Sequence, residues 1–160
     1  MLGLVSNSDG RADAVTDAVN VFAASGVDTV IHLGDVGGRH VLDAMKDVGD
    51  AAFVWGDRDK DRMVLLRHAH KLGIHCWGLF GEMEYDGKRL AVLHGDDKKI
   101  LKRILDEQQY DYVLTGHEMN VEEKTVGKTR LINPGPLYGG SSKSAAVFDP
   151  MTGKLTIVPL

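Results

Sequence analysis

The chain has 160 residues, a formal net charge of −4 and 43% hydrophobic residues. That length suits one domain spanning 1–160, large enough to bury about two-thirds of its surface without staples, and the acidic balance argues against a generic nucleic-acid or anionic-membrane surface. No apolar segment approaches the ~20 residues that cross a bilayer, and Met1–Val5 meets polar residues too soon for a signal peptide, so a cytoplasmic location is expected.

Met1–Val5 reads as a buried strand closed by Ser6-Asn7-Ser8-Asp9-Gly10. Val15, Ala18, Val19, Phe22 and Ala23 then recur at the helix period, and Gly26 ends that segment. Thr29–Leu33 is a second strand, leading into Gly34-Asp35. A short helix follows with Val41, Leu42, Met45 and Val48 inward. Ala51–Val54 is a third strand, ending in Trp55-Gly56-Asp57-Arg58-Asp59; a helix is expected over Asp61–His70 and a strand over Ile74–Leu79. Cys76 lies in that last run, where a small buried hydrophobe fits better than a nucleophile, and a lone cysteine allows no intramolecular disulfide.

After Phe80 the pattern changes. Glu82–Tyr85 and Lys88–His94 flank Asp86-Gly87, a type I′ hairpin signal. An amphipathic helix carries Ile100, Leu101, Ile104, Leu105 and Gln108, and Tyr112–Thr115 is another buried strand ending in Gly116-His117. Val121–Val126, Thr129–Ile132, Ser144–Phe148 and Leu155–Val158 complete the chain as strands. Alternating strands and helices first, then hairpins around one helix, predict an α/β fold: parallel strands at the centre, antiparallel strands at the edges, two packed sheets with helices outside.

Five strands end in the same way. Asn7 and Asp9, Asp35, Asp57 and Asp59, His94 and Asp96, and His117 each follow an apolar run and lie at or near a glycine. Val30-Ile31-His32-Leu33-Gly34-Asp35-Val36 is the clearest case, placing a carboxylate at the edge where open α/β sheets bind ligands. Singly, an Asp or Asn after a strand is an ordinary turn or cap residue. Together, carboxylates and imidazoles make a site for Mn, Fe or Zn, able to acidify a water or polarise a phosphoryl oxygen. His32, inside a strand, reads as a hydrogen-bonded core histidine, and His40, His68, His70 and His75 as surface or helix residues.

Leu33-Gly34-Asp35, Gly56-Asp57-Arg58-Asp59, His94-Gly95, Thr115-Gly116-His117 and Ile132-Asn133-Pro134-Gly135 occur in the order that resembles the calcineurin-like metallophosphoesterases, small single-domain phosphodiesterase branch. The resemblance runs from Leu2 to about Phe148 and implies a two-sheet αββα sandwich of mixed parallel and antiparallel strands. It implies that Asp35 bridges two metals about 3.5–4 Å apart, with Asp57, His94 and His117 completing the second site. The first site is degenerate. Its usual Asp-x-His-Gly is Asn7-Ser8-Asp9-Gly10 here, its last histidine falls on Met119, and Arg58 stands where a histidine or cysteine is usual. Asn7, Asp9 and Asp35 would make an oxygen-only first site, suited to Mg, Ca or Mn.

The implied function is a metal-dependent phosphoesterase, weakened by that first site, hydrolysing a phosphodiester or phosphomonoester. Mn is the favoured ion, with Zn, Fe, Ni or Mg as alternatives, and Arg58 and Asp96 are the candidate catalytic residues. Arg58 also reads as a solvated charge paired with Asp59 or Asp61. The partner is a phosphate-ester substrate; neither a membrane nor nucleic acid is indicated, and a homo-oligomer is left open. The alternative is a non-catalytic binding or scaffold protein on the same fold, as the retromer scaffold subunit of this family is, with Trp55, Trp77, Phe80 and Tyr138 as a contact surface. A nucleotide binder is disfavoured because no Gly-rich phosphate loop follows the first strand.

Overall fold

A computed structural model describes residues 1–160. In chain order the elements are β1 (Leu2–Val5), α1 (Ala12–Ala24), β2 (Thr29–His32), α2 (Arg39–Met45), β3 (Asp50–Phe53), α3 (Arg62–Leu72), β4 (His75–Cys76), β5 (Phe80–Tyr85), β6 (Lys88–Leu93), α4 (Lys98–Glu107), β7 (Tyr112–Leu114), β8 (Val121–Val126), β9 (Thr129–Pro134), β10 (Ser144–Asp149) and β11 (Lys154–Pro159). One sheet has the order β11-β10-β1-β2-β3-β4 and the other β5-β6-β7-β9-β8. In the first, β1 to β4 are parallel and β10 and β11 antiparallel. In the second, β6, β7 and β9 are parallel at the centre, with β5 and β8 antiparallel at the edges.

Side-chain alternation divides the core into three layers. Leu2, Leu4, Ile31, Leu33, Leu90, Val92, Leu114, Ile132, Ala146 and Phe148 point between the two sheets. The residues that alternate with them face the helices. Val5, Val30, Ala145 and Val147 meet α1, α2 and α3 through Val15, Phe22, Leu42 and Leu65. Ala91, Leu93, Val113 and Leu131 meet α4 through Ile104 and Leu105. Gly3 lets α1 sit close against the first sheet, since a Cβ there would lie 2.5 Å from the Phe22 ring. The architecture is the αββα sandwich expected from the sequence, and no helix is long and apolar enough to cross a membrane.

Local chemistry accounts for the element ends. Asp86 (φ 50°) and Gly87 (φ 77°) both take the left-handed conformation of a type I′ turn. Asp97 caps α4, its side chain accepting from the backbone N–H groups of Lys99 and Ile100. The strand expected over Ile74–Leu79 is only two residues long, because Gly78 turns the chain at φ 73° and Trp77 folds over Gly81, where a Cβ would lie 2.6 Å from its ring. Cys76 is accordingly half-buried rather than buried, and burial raises its thiol pKa, away from a nucleophile. Of the aromatic residues set aside as a contact surface, Trp55 is core, whereas Phe80 and Tyr138 are exposed.

The parallel strands β1, β2 and β3 end at one edge of the sandwich, and β6, β7 and β9 end at the same edge. Hydrogen bonds across the two sheets fix this: the His94 ring reaches the Leu33 carbonyl, and Ser6 Oγ donates to the Gly135 carbonyl. Every loop expected to carry a polar site residue therefore opens on one place.

Candidate metal centre

Asp35 sits at the middle of that edge and is fully buried. Gly34 (φ 96°) and Asp35 (φ 57°) reverse the chain just past β2. The loop after β1 is zipped onto this reversal, with Asn7 N donating to Gly34 O at 3.1 Å and Asp9 N to Asp35 O at 2.9 Å. The loop after β3 approaches from the other side so closely that a Cβ on Gly56 would fall 2.1 Å from Asp35 Oδ1. One carboxylate holds these loops together. Asp59 Oδ2 accepts from the backbone N–H groups of Asp35 (3.0 Å) and Gly56 (2.8 Å), and its Oδ1 from Gly37 (2.9 Å).

His94 faces Asp35 from the second sheet. Its Nδ1 lies 2.7 Å from the Leu33 carbonyl, an acceptor only, so Nδ1 carries the proton. In the neutral ring Nε2 then presents a lone pair. That atom lies 3.3 Å from Asp35 Oδ2 and 3.2 Å from Asp57 Oδ1, and His117 Nδ1 lies 3.4 Å from Asp57 Oδ1. Ligand atoms of Asp57, His94 and His117 all fall within 4.8 Å of one another. Asp35 Oδ2, His94 Nε2 and His117 Nδ1 are buried and have no hydrogen-bond partner. Electron pairs converging without a donor require a cation between them, either a proton or a metal ion. Asp57, His94 and His117 thus fit a divalent ion with two nitrogen donors and one oxygen donor, and Asp35 Oδ2 stands beside them at His94.

The charges respond to the same arrangement. Burial acts to lower the His94 pKa, but the facing Asp35 carboxylate and the Leu33 carbonyl outweigh it, and the ring is shifted up. Burial acts to raise Asp35, yet His94 and the Arg58 backbone and guanidinium hold it below the ordinary carboxylate range. Burial raises Asp9, against the opposing charge of Arg58.

The other side of Asp35 differs. Sequence reasoning placed Asn7 among the ligands, but its amide is engaged elsewhere: Oδ1 accepts from His117 N at 3.2 Å, and Nδ2 donates to His117 O at 3.2 Å and Met119 Sδ at 3.1 Å. Asn7 ties the β7 loop to the β1 loop. Arg58 pairs with neither Asp59 nor Asp61, because Asp59 is turned inward onto three backbone donors. Its Nη1 lies 2.7 Å from Asp9 Oδ2 and its Nε 3.5 Å from Asp35 Oδ2. Asp96 is exposed and makes no hydrogen bond or ion pair; it acts on His94 through charge alone. Beside Arg58 opens a cavity of about 480 Å³, where Arg39 and Lys60 add two further cations.

His32 lies beneath the centre as expected, buried, with Nε2 2.8 Å from Ser8 Oγ. Burial, helped by the charge of His94, lowers its pKa from 6.5 to about 3. The unfolded chain therefore takes up a proton that the fold refuses. His32 contributes full stability above its unfolded pKa of 6.5, and that contribution is lost as pH falls toward about 3. Urea unfolding in chelator should show stability falling from about pH 6.5 to about pH 4 with a slope approaching 1.4 kcal/mol per unit, and a shallower fall in His32→Gln. Equal slopes in the two proteins would refute this assignment.

Six non-glycine residues have left-handed backbone, and four of them, Asn7 (φ 50°), Asp9 (φ 45°), Asp35 (φ 57°) and His117 (φ 62°), are at this centre. Backbone of this kind persists only where surrounding bonds over-determine it. Asn133 supplies part of that constraint at His117, donating from Nδ2 to Gly116 O (2.9 Å) and Glu118 O (3.1 Å) while its Oδ1 accepts from Gly135 N. Sequence reasoning gave neither Asn133 nor Asp59 its structural role. The only signal was that each lies close to a glycine in a strand-end motif.

A two-sheet αββα sandwich with acidic and imidazole groups at its shared strand edge agrees with the family resemblance seen in the sequence. Residues 1–153 match the calcineurin-like phosphoesterase superfamily domain, and the chain belongs to that family. It is 25% identical over 140 residues to a phosphodiesterase of Methanocaldococcus jannaschii, covering 86% of this chain and 84% of that protein. Among solved structures, a novel archaeal phosphodiesterase superposes with a TM-score of 0.89 at 23% identity, over 99% of both chains. YfcE, a phosphoesterase of E. coli, gives 0.70 at 20% identity, over 98% of this chain and 97% of that one. Vps29 of Entamoeba histolytica complexed with zinc gives 0.62 at 15% identity, over 99% and 97%. At these identities the structural likenesses speak to the fold.

Proposed function

We propose that the chain hydrolyses a phosphate ester, a phosphodiester or a phosphomonoester, with a divalent ion held by Asp35, Asp57, His94 and His117. The observation that carries this is the cluster of ligand atoms from Asp57, His94 and His117 within 4.8 Å of one another, with Asp35 Oδ2 3.3 Å from His94 Nε2, of which Asp35 Oδ2, His94 Nε2 and His117 Nδ1 are buried without a hydrogen-bond partner. Mixed imidazole and carboxylate donors suit a transition-metal dication better than Mg, and of Mn, Zn, Fe and Ni we take Mn as the ion to test first. Such an ion, when bound, polarises a phosphoryl oxygen and lowers the pKa of water. The chain's own groups do the rest. The Leu33 carbonyl fixes the His94 tautomer, and Asn7 and Asn133 fix the loop of His117. Arg58, half exposed, has Nη1 and Nε committed to Asp9 and Asp35, leaving Nη2 to donate to the phosphate. Asp96, exposed beside His94, adds negative charge near the ligands. In the reaction a water oxygen bonds to phosphorus as the ester P–O bond breaks, and the departing oxygen takes up a proton. Arg39 and Lys60, which make no ion pairs, line the cavity where the rest of an anionic substrate would lie.

The test is hydrolysis of p-nitrophenyl phosphodiester and monoester substrates by metal-stripped protein supplied with Mn²⁺, Mg²⁺, Ni²⁺ or Zn²⁺. Activity is expected with Mn²⁺, lost in chelator, restored by the ion and absent from His94→Ala. Activity that survives both chelator and His94→Ala belongs to a contaminant. Inactivity with every ion would overturn the reading and favour the scaffold alternative.

A further inference from the structure

We propose that the Arg58 guanidinium takes the place of one of the two cations that the family resemblance implies, so that the centre holds a single divalent ion. This rests on the proposed function and concerns how the same site is charged. The observation is an asymmetry about Asp35. Both unpartnered imidazole nitrogens, His94 Nε2 and His117 Nδ1, lie on the side of Asp57, and Asp35 Oδ2 stands between that side and Arg58. The opposite side has no imidazole. There Asp9 Oδ2 is 2.7 Å from Arg58 Nη1, Arg58 Nε is 3.5 Å from Asp35 Oδ2, and the Asn7 amide is engaged by the backbone of His117 and the sulfur of Met119. The sequence alone allowed an oxygen-only site at Asn7, Asp9 and Asp35. In the structure its carboxylates already face a cation.

Charge and donor count favour the same conclusion. Asp9, Asp35 and Asp57 bring three negative charges to the centre, which one guanidinium and one dication neutralise before a phosphate arrives. A second dication would leave an excess of two positive charges, next to the guanidinium and with only Asp9 and Asp35 as ready ligands. A guanidinium also suits the place chemically. It is planar, permanently charged and able to donate to two carboxylates and a phosphate at once. Its backbone is held where this requires, because Arg58 N donates to Asp35 Oδ1 at 3.0 Å.

The experiment is Mn²⁺ binding to the full chain by equilibrium dialysis, with electron paramagnetic resonance of the bound ion. The wild type is expected to take one Mn²⁺ per chain and give the hyperfine-resolved spectrum of an isolated ion. Arg58→Ala is expected to take up a second, with a spectrum broadened by coupling through Asp35; Arg58→Lys, which keeps the charge, should stay at one. The double variant Arg58→Ala/Asp9→Ala should return to one. Two ions in the wild type, or one ion only in Arg58→Ala, would overturn the proposal while leaving the metal-dependent reading intact. No ion in the wild type would overturn that reading and this proposal together.

Discussion

Asp35→Ala is expected to remove divalent-ion binding at the centre and to lower phosphoesterase activity by about 10³-fold or more, roughly 4 kcal/mol of transition-state stabilisation. Asp35 is fully buried, and its two oxygens do different things. Oδ1 accepts from Arg58 N at 3.0 Å and so positions the arginine loop; Oδ2 faces His94 Nε2 at 3.3 Å and has no donor of its own. Alanine removes both functions, so folding has to be separated from chemistry. Asp35→Asn does this, because its amide oxygen keeps the bond from Arg58 N while the charge disappears. The asparagine variant should fold normally and still lose most of its affinity for Mn²⁺, measured calorimetrically, together with its activity. It should also move the His94 pKa downward, since the facing Asp35 carboxylate is the largest influence holding that ring up. Wild-type Mn²⁺ affinity in Asp35→Asn would remove Asp35 from the proposed ligand set.

Much of this centre could be read from residue order, because the physics of a parallel strand is local. An apolar run followed by Gly-Asp or Gly-His states both that the strand is buried and that a polar group stands at its end. That places Asp35, Asp57, His94 and His117 at one sheet edge before any contact is known. The αββα layering follows in the same way from alternation, as in Leu2/Leu4 against Gly3/Val5. What residue order conceals is the choice of partner among groups of equal reach. Arg58 has Asp59 and Asp61 beside it in the chain, yet it pairs with Asp9, 49 positions away, and with Asp35. The reason lies in Asp59, which turns inward because three backbone N–H groups would otherwise be orphaned. Asn7 was concealed likewise: its side chain could serve a metal or a backbone, and in the structure its amide bonds the backbone of His117 and the sulfur of Met119. The short β4 is a third case, where an apolar run was ended by the fold of Trp77 over Gly81 rather than by a polar residue.

Asp59→Ala is expected to destabilise the fold by about 3–6 kcal/mol, although Asp59 is not among the proposed ligands. The carboxylate is 4% exposed and accepts from Asp35 N, Gly37 N and Gly56 N. Each buried donor left without an acceptor costs about 1–3 kcal/mol, and the three donors belong to two loops whose other direct link is the bond from Arg58 N to Asp35 Oδ1. A domain of this kind has a total stability of about 5–15 kcal/mol, so the variant should lose much of its unfolding midpoint in urea, with and without chelator alike. Asp59→Asn separates the contributions. Its single oxygen can still accept from Asp35 N and Gly56 N, as Oδ2 does, but its amide then points N–H groups at Gly37 N–H. It should lose less than half as much as alanine. Mn²⁺ affinity should fall in Asp59→Asn even where the protein is fully folded, because Gly56 and Asp35 are brought together by this carboxylate and Asp57 follows Gly56 directly. A wild-type urea midpoint for Asp59→Ala would mean that the loops after β2 and β3 are held by their other contacts, chiefly the bond from Arg58 N to Asp35 Oδ1.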